Sequence, residues 1–422
     1  MLAKGRSTGI YRTYRYRWVI LAVYMYLAAL SQLYWLNFTA IETFMEKNLS
    51  VSAMGVGMFA MVFPLVFVIL SIPAGIVIDK KGYKYGVGIG AVVTGIFSLL
   101  RLANPNSYQL LLISQIGISV GQPFILNGIT KLVVVWFSKK EEATAIGLGS
   151  LAMFIGMIVA VGITPFLVDL KSYTYMLWLY GFLGAAGVLF FFLFMRSQPP
   201  SPSREEIAKN LSSVREGIRS ILKIRDFMIL GFIALIGIGV FNGLATWIEK
   251  ILNELHHISM VDAGTISAVL IFSGMLGCVV IPIVSDRIHR RKPFLILASL
   301  VGAICTIVLL FQNSFIVNIF NGIILGFFLL SALPIMLTMS VEIAGEKYAG
   351  ISVAYLQLLG NGAAVVIVPV MEILRGMNNN YILPISFLVV LLLIALFMSF
   401  RIGDPGKIVV LPGAVKDSID QG

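Results

Sequence analysis

Gly75-Ile-Val-Ile-Asp79-Lys80-Lys81-Gly82-Tyr83-Lys84 returns in altered form as Pro282-Ile-Val-Ser-Asp286-Arg287-Ile288-His289-Arg290-Arg291, about half the chain further on. Each copy is a short charged bridge between two long apolar runs. A repeat at half the chain length predicts two related halves. Outward from the two copies, apolar segments fall at 18–43, 52–79, 85–103, 108–137, 142–168 and 172–195. A second set follows at 227–252, 260–285, 293–311, 314–341, 346–374 and 379–400. Runs of about 20 residues or more match what a helix needs to cross a bilayer's hydrocarbon. Backbone polar groups in lipid must be satisfied internally, which leaves helices or closed barrels. Uninterrupted apolar runs lack the alternation of a barrel strand. The expected fold class is therefore an all-α membrane protein, with twelve transmembrane helices in two six-helix pseudo-symmetric bundles. The domain plan is an N-terminal bundle over 1–195, a linker over 196–226, a C-terminal bundle over 227–401 and a tail over 402–422.

Composition agrees with that reading. The 422 residues are 59% hydrophobic and 12% charged, where an ordinary soluble domain carries roughly a quarter charged residues. Apolar runs recur along the whole length, so no separate soluble domain is expected. Cys278 and Cys305 both sit inside apolar runs and read as small hydrophobes, not as a disulfide framework. Five Lys/Arg precede the first run and no small-residue cleavage site follows it, so the first helix reads as a retained anchor. The linker opens with SQPPSPS. It continues with apolar residues at helical spacing (Ile207, Leu211, Val214, Ile218, Leu222) against a charged face, which predicts a surface helix. The net charge of +11 does not indicate nucleic acid, because the charges are sorted. Most of the 31 Lys/Arg fall at the N-terminus, the two repeated bridges, the linker and the C-terminus. Lys47, Arg101, Lys171, Lys250 and Arg375 fall on the other side. The asymmetry predicts a multi-pass protein of the cell membrane with both termini and the linker cytoplasmic.

The first bridge, G-x-x-x-D-[RK]-x-G-x-[RK], resembles the loop between helices 2 and 3 that marks the major facilitator superfamily. The second copy departs at both glycine positions (Pro282, His289). The resemblance implies a carrier built from two rocking halves, with Gly75, Asp79, Lys80, Gly82, Lys84, Asp286 and Arg287 as gating residues. An Asp there can pair with Arg/Lys or cap a helix in one state and release it in the other. A narrower set of peptides resembles the haem- and choline-carrier family of the feline leukaemia virus subgroup C receptors. These are Tyr16-Arg17-Trp18-Val19, Tyr34-Trp35-Leu36-Asn37-Phe38, Gly121-Gln122-Pro123-Phe124-Ile125-Leu126, Val135-Trp136-Phe137 and, more weakly, Val341-Glu342-Ile343. That resemblance implies an aromatic cage with polar neighbours around an ammonium group. Its tryptophan falls on Trp35 and its helix 4 glutamine on Gln122. Its second aromatic falls on Asn242, and its helix 11 glutamine on Asn361. Half of the pattern is thus present and half altered.

By residue count, Trp35, Gln122, Asn242 and Asn361 lie roughly 21–26 Å into their helices, near mid-depth in long tilted spans. Asn37 adds a polar neighbour to Trp35, and Tyr34 or Phe241 is a candidate second ring. Plainer roles compete: a tryptophan packs in cores and at headgroups, and buried amides also satisfy each other between helices. Lys131 is expected to snorkel, and His256-His257 to be a solvated pair without a metal. No Asp or Glu falls at mid-depth in helices 1, 4, 7 or 10, so no proton site of the usual kind is evident. Glu342 lies at the inner end of helix 10, within reach of a cavity or of a surface ion pair. No P-loop, nucleophile elbow or HExxH motif is present, so an enzyme is not expected, nor any cofactor. The expectation is a secondary transporter of a small organic solute, such as the cationic amines choline or ethanolamine, working as a monomer in the bilayer by alternating access. The alternative is a carrier of an organic anion or amphipathic drug, possibly ion-coupled, with Lys131 or Arg101 as counter-charge.

Overall fold

The computed structural model describes residues 14–138, 141–199, 214–345, 348–378 and 380–404, and among them there is helix and no strand. Twelve described helices are long and apolar enough to cross a membrane. They are α1 (Arg17–Leu36), α2 (Ala53–Lys81), α3 (Tyr83–Leu100), α4 (Tyr108–Trp136), α5 (Thr144–Leu170) and α6 (Tyr173–Phe194). The second six are α7 (Arg225–His256), α8 (Met260–Ile288), α9 (Lys292–Phe311), α10 (Phe315–Ala344), α11 (Gly350–Asn378) and α12 (Ile382–Arg401). Six, a polar break and six more is the order the apolar runs predict.

The first run ends earlier than its hydropathy indicates. Helix α1 stops at Leu36, and the chain turns through a 3₁₀ segment, Thr39–Ile41, into a short helix, Glu42–Leu49. Phe38, Ala40 and Ile41 are apolar because they are buried there, not because they continue the span. Helix α4 is divided at Asn127, whose Nδ2 donates to the Ser71 carbonyl at 2.9 Å. Helix α5 carries a π-turn, Val159–Ile163, just ahead of Pro165, a usual place for a helix to absorb a proline.

Contacts among the described residues group the chain into two compact units. The first comprises Met1–Phe38, Asn48–Ser50 and Met58–Leu211; the second comprises Thr39–Lys47, Val51–Gly57 and Ser212–Gly422. A cut at the linker separates the two except for one feature: the turn after α1 and the start of α2 group with the second half. Inside the first unit α3 packs on α4 and α6, and α1 on α5 and α4. Helices α3 and α4 cross at Gly90 and Gly121, where a Cβ on either would stand 2.7 Å from the other's carbonyl oxygen. Only a glycine pair allows that approach. Inside the second unit α8 packs on α10, α7 on α11, and α9 on α10 and α12. Before α7 a short helix, Val214–Ile221, carries buried Ile221, and Ile218 and Leu222 are half-buried. Ile207, Leu211, the Val214 side chain and the tail beyond 404 lie outside the described residues.

Candidate functional site

Several family-like peptides that are scattered in sequence meet at one end of the first unit. Arg17 lies over the rings of Trp18 and Phe137, 5.5 and 5.7 Å from their centroids, and pairs with Glu141 at 2.6 Å. The Ser138 hydroxyl and Arg17 hold the Glu141 carboxyl below its ordinary range. Trp136 donates from Nε1 to the Tyr83 hydroxyl at 2.6 Å, and Tyr83 donates to the Arg196 carbonyl. Arg196 in turn stacks on Tyr16. Thus Tyr16-Arg17-Trp18 and Val135-Trp136-Phe137 form a clasp that fixes α1, α3 and α4 beside the first signature bridge.

In that bridge Gly82 has φ +89° and ψ 157°, a region open essentially to glycine alone. Gly75 faces open space, Asp79 and Lys80 are exposed and Lys84 is half-buried. Lys131 donates to the Asp79 carbonyl at 2.7 Å. In the second copy Asp286 pairs with Arg291, which also reaches Glu342 at 3.0 Å. Arg291 further holds Asp404 through its backbone N–H at 3.0 Å. Glu342 is therefore in an ion pair with the signature loop. Arg287 is exposed.

In the first unit, Trp35 lies one residue before the end of α1, not at its middle, and is 8% exposed, while Gln122 within α4 is 6% exposed. Gln122 makes no hydrogen bond to a described residue. Asn37 is fully buried with both amide atoms unpartnered. Tyr34 is occupied: its hydroxyl donates to the Tyr180 carbonyl at 2.6 Å, and Arg101 covers its ring at 4.9 Å. Arg101 also covers Phe38 at 5.0 Å and donates to Gln115. Gln115 passes the contact on, donating to the carbonyls of Tyr34 at 3.0 Å and Phe59 at 3.1 Å. Burial lowers the Arg101 pKa to about 10. The Tyr34 face is thus filled by the chain's own cation.

In the second unit, Asn242 and Asn361 behave alike. Each donates its Nδ2 to the carbonyl four residues back in its own helix, Ile238 at 2.8 Å and Gln357 at 2.9 Å. Their side-chain oxygens keep no donor among the described residues. Gly239 brings α7 against Ala363 of α11. Asn242 is 6% exposed and Asn361 half-buried.

Sequence reasoning missed two polar cores. The polar run Ser114-Gln115 in α4, with Arg101 nearby, was the available signal for the first. The second surrounds Glu42 and has only a faint signal, Lys250 and Glu254 one helical turn apart.

A family model described as the Major Facilitator Superfamily matches residues 21–369. The chain belongs to the Major Facilitator Superfamily. It is therefore a multi-pass membrane transporter by family. Among superfamily relatives, the choline/ethanolamine transporter flvcr2b of Danio rerio is 24% identical over 81% of this chain and 74% of its own length. Its name places it in the feline leukaemia virus receptor family that the peptides resemble. An uncharacterized MFS-type transporter of Caenorhabditis elegans is 25% identical over 79% of this chain, which spans 60% of that relative's length. A bacterial homolog to the human lysosomal transporter Spinster is similar in fold, with a TM-score of 0.73 at 16% identity, covering 94% of this chain and 98% of that one.

Proposed function

We propose that this superfamily transporter carries a small cationic amine of the choline or ethanolamine type by alternating access. The observation that carries the reading is the pair Asn242 and Asn361. Each has its donor satisfied within its own helix and offers an unpaired carbonyl oxygen, the group that suits an ammonium or a substrate hydroxyl. Trp35, Gln122 and Asn37 are the corresponding groups of the first unit, with Trp35 as the aromatic face; a cation–π contact there is worth about 0.5–2 kcal/mol. Tyr34 contributes by holding Arg101 in place. The middle third of each described span carries no Asp or Glu, which fits movement down the substrate's own gradient. The signature residues Gly75, Asp79, Lys80, Gly82, Lys84, Asp286 and Arg287 act as gates at the linker end. The Lys/Arg bias sets both termini in the cytoplasm of a cell-membrane monomer.

The names of relatives such as flvcr2b support the amine class. The anion alternative would use Lys131 or Arg101, and both are committed to other groups, to the Asp79 carbonyl and to Gln115 with two rings. The test is uptake of labelled choline and ethanolamine into proteoliposomes under gradients of either sign. Saturable uptake that is cut by Trp35→Ala and by Asn242→Leu is expected. Absence of uptake under both gradients, or stabilisation by organic anions and not by amines in a thermal-shift panel, refutes it.

A further inference from the structure

The segment Thr39–Lys47 is the covalent continuation of α1, yet its contacts lie with α7 and its neighbours in the second unit. Its first helical residue, Glu42, is fully buried, and neither carboxylate oxygen has a hydrogen-bond partner among the described residues. The next residue, Thr43, gives its backbone N–H and its hydroxyl to Oε2 of Glu249, at 3.2 and 3.3 Å. Glu249 is 2% exposed, and its other oxygen, Oε1, is also unpartnered. Two carboxyl groups are therefore packed beside each other away from water with three oxygens unsatisfied.

The cations nearby do not neutralise them. Lys250 pairs with Glu46 and stands 3.5 Å from Glu254. Arg375 pairs with Glu254 at 2.5 Å and Glu372 at 3.0 Å. Tyr381 donates to Glu372 at 3.4 Å. Among the described residues, these groups from the short helix, α7, α11 and the start of α12 thus bring five carboxyls to two cations, and Glu42 and Glu249 are the two left without an ion-pair partner. Burying two unpaired like charges is more costly than holding a proton on one of them.

We propose that Glu42 and Glu249 form a proton-binding site, and that its occupancy holds the segment Thr39–Lys47 against α7. Burial, and then the neighbouring Glu249, push the Glu42 carboxyl well above its ordinary range. The sign follows. A carboxyl raised in the docked state favours docking below that raised value, and docking weakens as pH rises through it. One proton taken up per docking event, and given back on undocking, makes the equilibrium fall roughly tenfold per pH unit above that point. A small metal cation is a poor occupant, since Thr43 already uses one Glu249 oxygen and hard cations take six or more oxygens. Under the transport reading, any step of the cycle that lifts this segment off α7 acquires a pH dependence, and that clause alone rests on the reading.

The experiment needs no substrate, so its outcome is separate from that of the amine reading. Hydrogen exchange of peptides covering 39–49 is measured in the full-length protein from about pH 5 to about pH 8, corrected for intrinsic exchange. Protection is expected to fall roughly tenfold per unit over part of that range. E42Q and E249Q, which mimic the protonated group, stay protected throughout; two variants are used so that a folding failure in one leaves the other. Wild-type protection that is flat with pH, or a pH dependence retained in both variants, overturns the proposal. So does recovery of protection at high pH by sodium salts and not by potassium salts, which assigns the pair to a metal cation.

Discussion

Replacing Gln115 with leucine isolates the polar core of the first unit. Gln115 is fully buried and is the hydrogen-bond partner of Arg101, whose Nε and Nη1 are already unsatisfied. Its amide also donates to the Tyr34 carbonyl, two residues from the end of α1. The last carbonyls of a helix have no partner inside it, so that bond closes one of them. A hydrogen bond to a charged group contributes about 1.5–3 kcal/mol, and a neutral one about 1. The Phe59 carbonyl lies within α2, where the helix itself supplies a donor, and adds little. The expected cost of Gln115→Leu is therefore about 2.5–4 kcal/mol. The double variant with Arg101→Leu removes the stranded cation and recovers part of that loss, giving a coupling of about 2 kcal/mol. Denaturant or thermal unfolding of all four proteins in one detergent reads both quantities. A cost of Gln115→Leu below about 1 kcal/mol, or additive effects in the cycle, would show that Arg101 is solvated or paired elsewhere, and the account of the Tyr34 face would fail with it.

Asn242→Leu and Asn361→Leu are each expected to lower amine uptake at least roughly tenfold through KM, the loss of one buried acceptor, while Asn242→Ala leaves the fold intact by the same unfolding assay. Gly326→Ala places a Cβ on the Leu270 carbonyl oxygen and should destabilise by about 1–3 kcal/mol; unchanged unfolding would mean that α8 and α10 are not in contact there. Glu141 titrates below its ordinary value, so its pairing with Arg17 holds at neutral pH and is lost as pH falls through the depressed value. Being largely solvated, it contributes a few tenths of a kcal/mol, and Glu141→Gln should alter acid stability only slightly. Gly82→Ala should cost about 1–3 kcal/mol through its backbone angles, whereas His289→Gly should stabilise by about 0.5–1 kcal/mol.

The twelve spans and their division were legible because hydropathy is a local property that lipid enforces residue by residue. The end of α1 was not, since Phe38, Ala40 and Ile41 are buried by tertiary contacts and look like more of the span. The peptides around Trp18 and Trp136 could be recognised as family-like, but spacing gave no hint that they meet. Their clasp depends on Tyr83 and Arg196, more than a hundred residues apart. Asn242 and Asn361 were readable as polar groups at depth. Their spare oxygens were not, because that depends on which way each amide turns. Glu42 was the hardest case: a carboxylate just beyond an apolar run reads as an interfacial charge, and only packing shows it cut off from water.

The two signature bridges show which parts of a repeated motif the backbone still constrains. Gly82 and His289 occupy equivalent places, and both have positive φ, +89° and +49°. The residue changed while the turn away from the preceding helix persisted. The angles then separate them: at Gly82 ψ is 157°, where a side chain is excluded, and at His289 it is 42°, the left-handed helical region that histidine tolerates. His289 closes α8 by donating its N–H to the Asp286 carbonyl, so there the aspartate's backbone shapes the turn while its side chain holds Arg291. In the first copy the Asp79 carbonyl is instead taken by Lys131 from α4. Each half thus engages the same aspartate position with a different basic side chain, Lys131 at the backbone carbonyl in one and Arg291 at the carboxylate in the other.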